Sequence, residues 1–414
     1  MITYEEARET ILAAMHPLAP RGASLAEALG LALAEPVDAG EDVPPFANTA
    51  MDWFAVRASD TAGAGEDSPV RLRVVDELPA GRAPSTQVGA GEAIRIMTGA
   101  PVPGGADAIV MVERTSPDGD GVLIRAAARV GDHIRPAGGD VRAGQRVFDV
   151  GTVLGPAALG VLASLDVRTV HVRGPVRVGV MSTGDELVES GPLLPGQIRD
   201  SNRPMLLSIV AGAGCEPVDL GVARDDEKYI VSTIEGALET CDAIITSGGV
   251  SMGEYDFVKA GLRRLSAERP GVDFEWWQVK IKPAKPLVFG TLGGKPVFGL
   301  PGNPVSSSVS FELFARPALR KMAGRHDLLR AEVVAVADHA MPRRPDGKVY
   351  LERVRVRYED GCFRAHRSGE QSSNVLSAMA AANGLTLMPD GSGVDAGGEI
   401  PVMLLGEVEG PPIG

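Results

Sequence analysis

The stretch CDAIITSGGVSMGEYD (241–256), followed by VKIKPAKP (279–286) and GLPGNPVSS (299–307), decides how this chain is read. The run CDAIIT is short, apolar and β-branched, and it breaks straight into a glycine turn, which is the pattern of a buried strand entering a loop. Two turns rich in backbone N–H groups, three lysines and the carboxylates Glu254 and Asp256 then fall close together in the sequence. Backbone amides and lysines suit an oxyanion, whereas carboxylates suit a hard cation such as Mg²⁺.

Working outward, the segment from 174 alternates strand and helix. VRVGVM, EPVDLGVA and CDAIIT read as buried strands, and DSNRPMLLSIVAGAG, EKYIVSTIEGALET and DFVKAGLRRL read as helices. Such alternation implies parallel βαβ units under a covered sheet. A hairpin, KPLVFGTLGGKPVFGLPG, interrupts it before a helix that Asn303 caps and Pro304 begins. Upstream, Thr3 with Glu6 predicts a capping box for a helix over 3–15, and Ser24 caps a second short helix. Residues 45–148 and 327–414 are short alternating runs between Gly, Pro and Asp turns. The fold class is therefore α/β multidomain. A helical module (1–45 plus 146–172) carries an inserted mainly β domain (46–145), and a central parallel α/β domain (173–326) and a C-terminal β domain (327–414) follow.

Composition narrows the function. The formal net charge of −13 excludes a general nucleic-acid binder, because neutralising phosphates requires a basic face. No apolar run is long enough to span a membrane, and the acidic start MITYEEARETIL is not a signal peptide, so the expected location is cytoplasmic. Cys215, Cys241 and Cys362 show no metal or disulfide spacing and read as reduced thiols.

Ligands of open α/β sheets bind at the carboxyl ends of the strands. Three such loops carry polar groups here: STGDEL with Ser182, Thr183 and Gly184, RDDE (224–227), and SGGVSMGEYD with Ser247, Gly248, Gly249 and Ser251. Asp185, Glu186, Asp225, Asp226, Glu254 and Asp256 could converge on a cation, although each alone also suits a solvated cap. Lys280 and Lys282 fall on one face of a strand, with Lys285 just beyond, and Pro283 and Pro286 stiffen that backbone for holding an anion. A solvated edge strand guarded by Lys and Pro is the alternative. The pattern GxSxG occurs as GVSMG around Ser251, which opens a serine-hydrolase reading, but three residues separate it from the strand. The Walker A, GxGxxG and HExxH patterns are absent.

With these residues in view, the chain resembles the molybdopterin molybdotransferase family, known as MoeA in bacteria and the gephyrin E domain in animals. The resemblance runs in order through ANTAMDWFAV (47–56), RIMTGAPVPGGADAIVMVE (95–113), IRPAGGDVRAG (134–144), MSTGDEL (181–187), GQIRDSN (196–202), TSGGVSMGEYD (246–256), IKPAKP (281–286) and GLPGNPVS (299–306). It implies a Mg²⁺-dependent reaction in which adenylylated molybdopterin and molybdate give molybdenum cofactor and AMP. It also implies a homodimer whose active site is shared between subunits, with a molybdopterin adenylyltransferase as a possible partner. Family positions fall on Asp52, Thr98, Arg135 and Asp140 in the inserted domain, and on Glu186, Asp225, Asp256, Lys282 and Lys285 in the α/β domain. Glu186, Asp225 and Asp256 are the implied metal ligands. Pro301, Gly302, Asn303, Pro304 and Ser306, with Arg353 and Ser372 or Ser373 from the last domain, are implied in pterin and molybdate binding. Three departures stand out: MDGYA is here MDWFA (51–55), KPGKP is KPAKP, and a lysine found in some members is Gln278, for which Lys280 offers a replacement. A scaffolding protein that binds pterin without catalysis, and a general nucleotide or phosphate transferase, are the rival classes.

Overall fold

The computed structural model describes residues 1–249, 257–268, 273–408 and 410, and it divides the chain into two compact units. Unit one holds residues 1–34, 151–154 and 170–414, and unit two holds 35–150 and 155–169.

Unit one begins with helix α1 (Tyr4–Ala14), where Thr3 and Glu6 form the predicted capping box. Its central sheet uses strands β1 (Arg177–Thr183), β2 (Glu216–Ala223), β3 (Ala243–Ser247), β4 (Asp273–Gln278), β5 (Pro286–Leu292) and β6 (Lys295–Leu300) in the order β2-β1-β3-β6-β5-β4. The first four of that order are parallel, and β5 and β4 add antiparallel strands at one side. The crossover helices are α2 (Asn202–Gly212), α3 (Glu227–Ala237) and α4 (Phe257–Glu268). Side-chain alternation along the strands builds two cores. Val178, Val180, Ile245, Phe298 and Leu300 pack on one face, and Met181, Ile244 and Val297 on the other with Ile230, Ile234, Val258 and Leu262. The apolar stripe of Ala7 and Ile11 on α1, with its C-cap Met15, lies in the first of these cores together with Phe311, Phe314 and Leu319. The first helix, read from sequence as part of a separate helical module, is thus built into the α/β core. Between α1 and the sheet, Arg21–Ser24, Ala32–Leu33 and Thr169–Arg173 form a small sheet that the helical reading did not foresee. The C-terminal portion closes into a five-stranded barrel of Glu332–Ala337, Cys362–Arg367, Arg353–Glu359, Gly384–Thr386 and Glu399–Leu404.

Unit two is mainly β. Its six-stranded sheet runs Ala108–Met111, Trp53–Val56, Glu92–Ile96, Val70–Leu78, Gly121–Ile124 and Thr115–Asp118, and a helix, Pro156–Ser164, follows it in the chain. Phe54, Val56, Leu72 and Val122 are buried in one of its cores, Ala55, Ile94, Ile96 and Ile109 in another. Among the described residues no helix is long and apolar enough to cross a membrane. The three cysteines are free, and burial pushes the Cys215 thiol up to about 12, which keeps it protonated.

Register sets the ligand side of unit one. Ser182 pairs with Ser247, Thr183 with Ala223 and Ser247 with Leu300, so the loops after β1, β2, β3 and β6 leave from one edge. Arg203, at the start of α2, ties that edge together. Its Nε donates to Asp200 at 3.0 Å and its Nη1 to Asp219 at 2.5 Å, and it also pairs with Glu189. The Asp200 side chain is only 1% exposed and also accepts the Ser182 hydroxyl at 2.9 Å. Replacing Arg203 leaves the buried Asp200 charge without its cation. Arg203→Met is expected to lower the stability of this unit by about 3 kcal/mol, read from urea unfolding by tryptophan fluorescence.

Candidate active site

A cavity of about 1370 Å³ opens at the carboxyl edge of the central sheet and is walled on its other side by residues 348–353 and 371–374. Its floor is the pair of turns after β1 and β3. Gly248 has φ +96°, and a Cβ there would stand 2.7 Å from the Thr183 carbonyl oxygen, so only glycine fits. Asn202 bridges the floor by donating from Nδ2 to the Ser247 hydroxyl at 2.8 Å and to the Gly302 carbonyl at 2.6 Å. The Thr183 hydroxyl and the Asn202 Oδ1, on two residues that line the cavity, are buried with no hydrogen-bond partner among the described residues. Gly248→Ala is expected to cost about 2 kcal/mol and to abolish ligand retention in the cavity. Equilibrium unfolding and pterin binding of the purified variant check this.

One wall is acidic. Glu186 and Asp225 line the cavity, and the Asp225 N–H donates to Asp185 Oδ1 at 3.2 Å. Burial pushes the Asp225 carboxyl above its ordinary range, and the charges of Asp185 and Glu186 push the same way. No cation pairs with any of the three among the described residues. Hard oxygen donors under mutual repulsion are a donor set that fits a divalent cation such as Mg²⁺. Among the described residues, however, no group of three or more His, Cys, Asp or Glu is placed to hold a metal ion. Asp226 is instead the N-cap of α3, accepting the Tyr229 N–H at 2.8 Å. Ser251, Glu254 and Asp256 lie outside the described residues.

The opposite wall is cationic. Lys282 and Lys285 are exposed to the cavity, and Ile281–Lys282 forms a two-residue parallel ladder with Val349–Tyr350. Lys280, by contrast, does not line the cavity; its N–H donates to the Ile2 carbonyl at 2.8 Å and its charge acts on Glu6. It therefore does not replace the lysine that Gln278 lacks. Arg353 is 1% exposed, yet it reaches the cavity. Its Nη2 donates to the carbonyls of Glu370 (2.8 Å) and Ser372 (3.1 Å), while its Nε is buried without a partner. Glu352, the neighbouring acid, is taken by Arg367 at 2.6 and 2.9 Å. Burial lowers the Arg353 pKa, and the charges of Glu352 and Glu370 only partly offset it.

The structure thus brings Ser182, Thr183, Gly184, Glu186, Asp225, Ser247, Gly248, Gly249, Lys282, Lys285, Pro301, Gly302, Asn303, Pro304, Ser306, Arg353 and Ser372 to one cavity. Asn303 takes the N-cap position of its helix without a side-chain hydrogen bond to it. Sequence reasoning placed neither Asn202, Asp200 nor Tyr350 at the site; Asp200 read only as a candidate cap of α2, the first two stand in the GQIRDSN block, and Tyr350 had no signal beyond its nearness to Arg353.

Asp52, Thr98, Arg135 and Asp140 belong to unit two. Asp52 Oδ1 accepts both the N–H (2.6 Å) and the hydroxyl (2.9 Å) of Thr98, and these bonds, helped by Arg95, hold its carboxyl below the usual range. The bulky Trp53 leaves this pairing intact: it begins the strand Trp53–Val56 and carries the Arg95 guanidinium 4.4 Å from its ring centroid. Arg135 pairs in register with Asn48, and the Asp140 N–H donates to Val43 at 3.0 Å. A depressed carboxylate contributes stability that is present above its unfolded pKa and lost as pH falls through its folded pKa. Thr98→Val is expected to raise the Asp52 titration, so that the carboxylate contributes less stability and its acid-end loss is complete at higher pH. NMR titration of the Asp52 carboxyl carbon reads the shift.

Three family models match the chain in order: the MoeA N-terminal region (domain I and II) over 2–165, a probable molybdopterin binding domain over 179–321, and the MoeA C-terminal region (domain IV) over 335–405. Molybdopterin molybdenumtransferase 2 of Mycobacterium tuberculosis strain H37Rv is 41% identical over 393 residues, covering 94% of this chain and 96% of that protein. The chain belongs to the molybdopterin molybdenumtransferase family. The Haemophilus influenzae molybdopterin molybdenumtransferase is 34% identical, with 96% of this chain and 97% of the relative covered. The crystal structure of the molybdopterin biosynthesis moeA protein from Pyrococcus horikoshii OT3 superposes with a TM-score of 0.82 at 31% identity, covering 98% of this chain and all of that one.

Proposed function

We propose that this chain transfers molybdenum from molybdate to adenylylated molybdopterin, yielding molybdenum cofactor and AMP. The observation that carries the reading is the division of one cavity into an acidic wall, a cationic wall and a floor of unsatisfied polar groups. Family membership supports it.

In this reading the floor turns and Asn202 receive the pterin, whose ring offers donors and acceptors to the unpaired Thr183 hydroxyl and Asn202 Oδ1. Lys282, Lys285 and Arg353, with the Ser306 and Ser372 hydroxyls, hold the molybdate oxygens against the dithiolene sulfurs. A hard cation such as Mg²⁺ on Glu186 and Asp225, with Asp256 as a further carboxylate, would supply charge neutralisation of the pyrophosphate. The chain's own part is positioning and electrostatic stabilisation, without a covalent intermediate. A cytoplasmic homodimer, a role for Asp52, Thr98, Arg135 and Asp140 in the reaction, and delivery of substrate by an adenylyltransferase belong to the same proposal.

AMP release from adenylylated molybdopterin with molybdate and Mg²⁺ tests it. Lys285→Ala and Glu186→Gln are each expected to slow AMP release by about 100-fold while the fold is retained. Full activity in both variants would sink the assignment. Tight pterin binding with no AMP release from the wild type would favour a scaffolding role, and turnover of ATP without pterin a general nucleotide transferase.

A further inference from the structure

The cationic wall contains an aromatic residue with no assigned task. Tyr350 pairs with Lys282 across the short parallel ladder, and Lys282 Nζ stands 4.8 Å from the centre of its ring. The phenol oxygen lies 3.5 Å from the same ammonium, at the limit of a hydrogen bond. The ring itself is held firmly. Its residue exchanges backbone hydrogen bonds with Met388 at 2.9 and 3.0 Å, and its hydroxyl donates to Asp346 at 3.3 Å. Arg343, with a side chain of 0% exposure, stands 3.9 Å from the ring centroid and is neutralised by Asp346 (3.0 Å) and Asp390 (2.8 Å).

We propose that Tyr350 is a positioning residue for Lys282, whose ammonium it holds at the cavity wall through its ring while leaving the positive charge uncompensated for an oxyanion. The proposal rests on the reading of Lys282 as an oxyanion holder. The physical argument is one of charge. A carboxylate partner would fix the lysine equally well but would cancel its charge, as Asp346 does for Lys348 at 2.5 Å on the same wall. An aromatic face attracts an ammonium through its quadrupole, carries no net charge, and leaves the N–H donors free. Among the described residues no carboxylate pairs with Lys282. Arg343, its charge balanced by two aspartates, adds no net charge that would repel the lysine.

The test uses the full chain and molybdate as probe, with titration calorimetry and the molybdate dependence of AMP release as readouts. Tyr350→Leu is expected to weaken molybdate binding about three- to tenfold, with the rate at saturating molybdate within about twofold of wild type. Tyr350→Phe keeps the ring and is expected to stay within about twofold of wild type in both. In the Lys282→Met background, adding Tyr350→Leu is expected to change nothing further. Wild-type molybdate affinity in Tyr350→Leu, with Lys282→Met impaired, would overturn the proposal alone. Equal weakening by Tyr350→Leu in both backgrounds would also overturn it, since a merely structural role predicts that result. Wild-type affinity in Lys282→Met would remove the oxyanion reading and the proposal with it. Thermal melts accompany each variant, and Tyr350→Met, which keeps bulk and removes the ring, replaces Tyr350→Leu if the latter melts early.

Discussion

The two-residue ladder between Ile281–Lys282 and Val349–Tyr350 is the constraint on which the cavity depends. The Leu351 N–H extends it by donating to the Lys282 carbonyl at 2.8 Å, and the Val349 N–H donates to Lys280 at 2.9 Å. Through it the segment between the barrel strands Glu332–Ala337 and Arg353–Glu359 is held against the loop between β4 and β5. Everything cationic on that wall follows in sequence from one side of the ladder or the other. Lys285 lies three residues past it, and Arg353 opens the first barrel strand after it. Leu351 is buried in the same core as Val279, Ile281 and Leu287, so apolar burial, rather than the few hydrogen bonds, supplies most of the holding energy.

The charges on the two walls are arranged at a cost to the fold. Burying a guanidinium without a carboxylate is unfavourable, and among the described residues Arg353 has two carbonyl acceptors and an unpaired Nε. Asp225 is destabilised in the opposite sense, by burial and by two neighbouring carboxylates. Elsewhere in this unit some buried charges are well paired: Glu312 accepts from Nε and Nη2 of Arg330 at 2.9 and 3.0 Å, and Arg203 is matched by three acids. At the cavity, a ligand carrying both an anion and a bound cation would compensate both walls at once.

Much of this was legible in the chain. Period-two and period-four patterns located β1 to β3 and their helices because strands buried on both faces read as continuous apolar runs. The acid and lysine walls were visible because carboxylates and lysines sit in loops directly after strands, where an open sheet exposes them. Other features were hidden for physical reasons. The stripe on α1 predicts a helix but not which core receives it, because burial against a distant sheet leaves no local signature. Lys280 and Lys282 share a face only if the strand continues, and here the ladder covers just Ile281 and Lys282. The part played by Tyr350 depends on a pairing between segments 68 residues apart, which no window of sequence contains.

The loop between the two lysines shows how local strain and packing combine. Ala284 adopts φ +72°, a left-handed conformation that costs a residue with a Cβ about 1 kcal/mol. Its side chain is buried in the main core of unit one, and burying a methyl group returns about 0.8 kcal/mol. The two terms nearly cancel, so alanine is tolerable where glycine would be the conformational default. What alanine adds is stiffness, because the methyl removes much of the backbone freedom that glycine has in the unfolded chain. The Val279 N–H closes the same loop onto the Lys285 carbonyl at 2.8 Å. Lys282 and Lys285 thus project from a turn closed by a backbone hydrogen bond and pinned by a buried methyl, which fixes the separation of their backbones before any anion arrives.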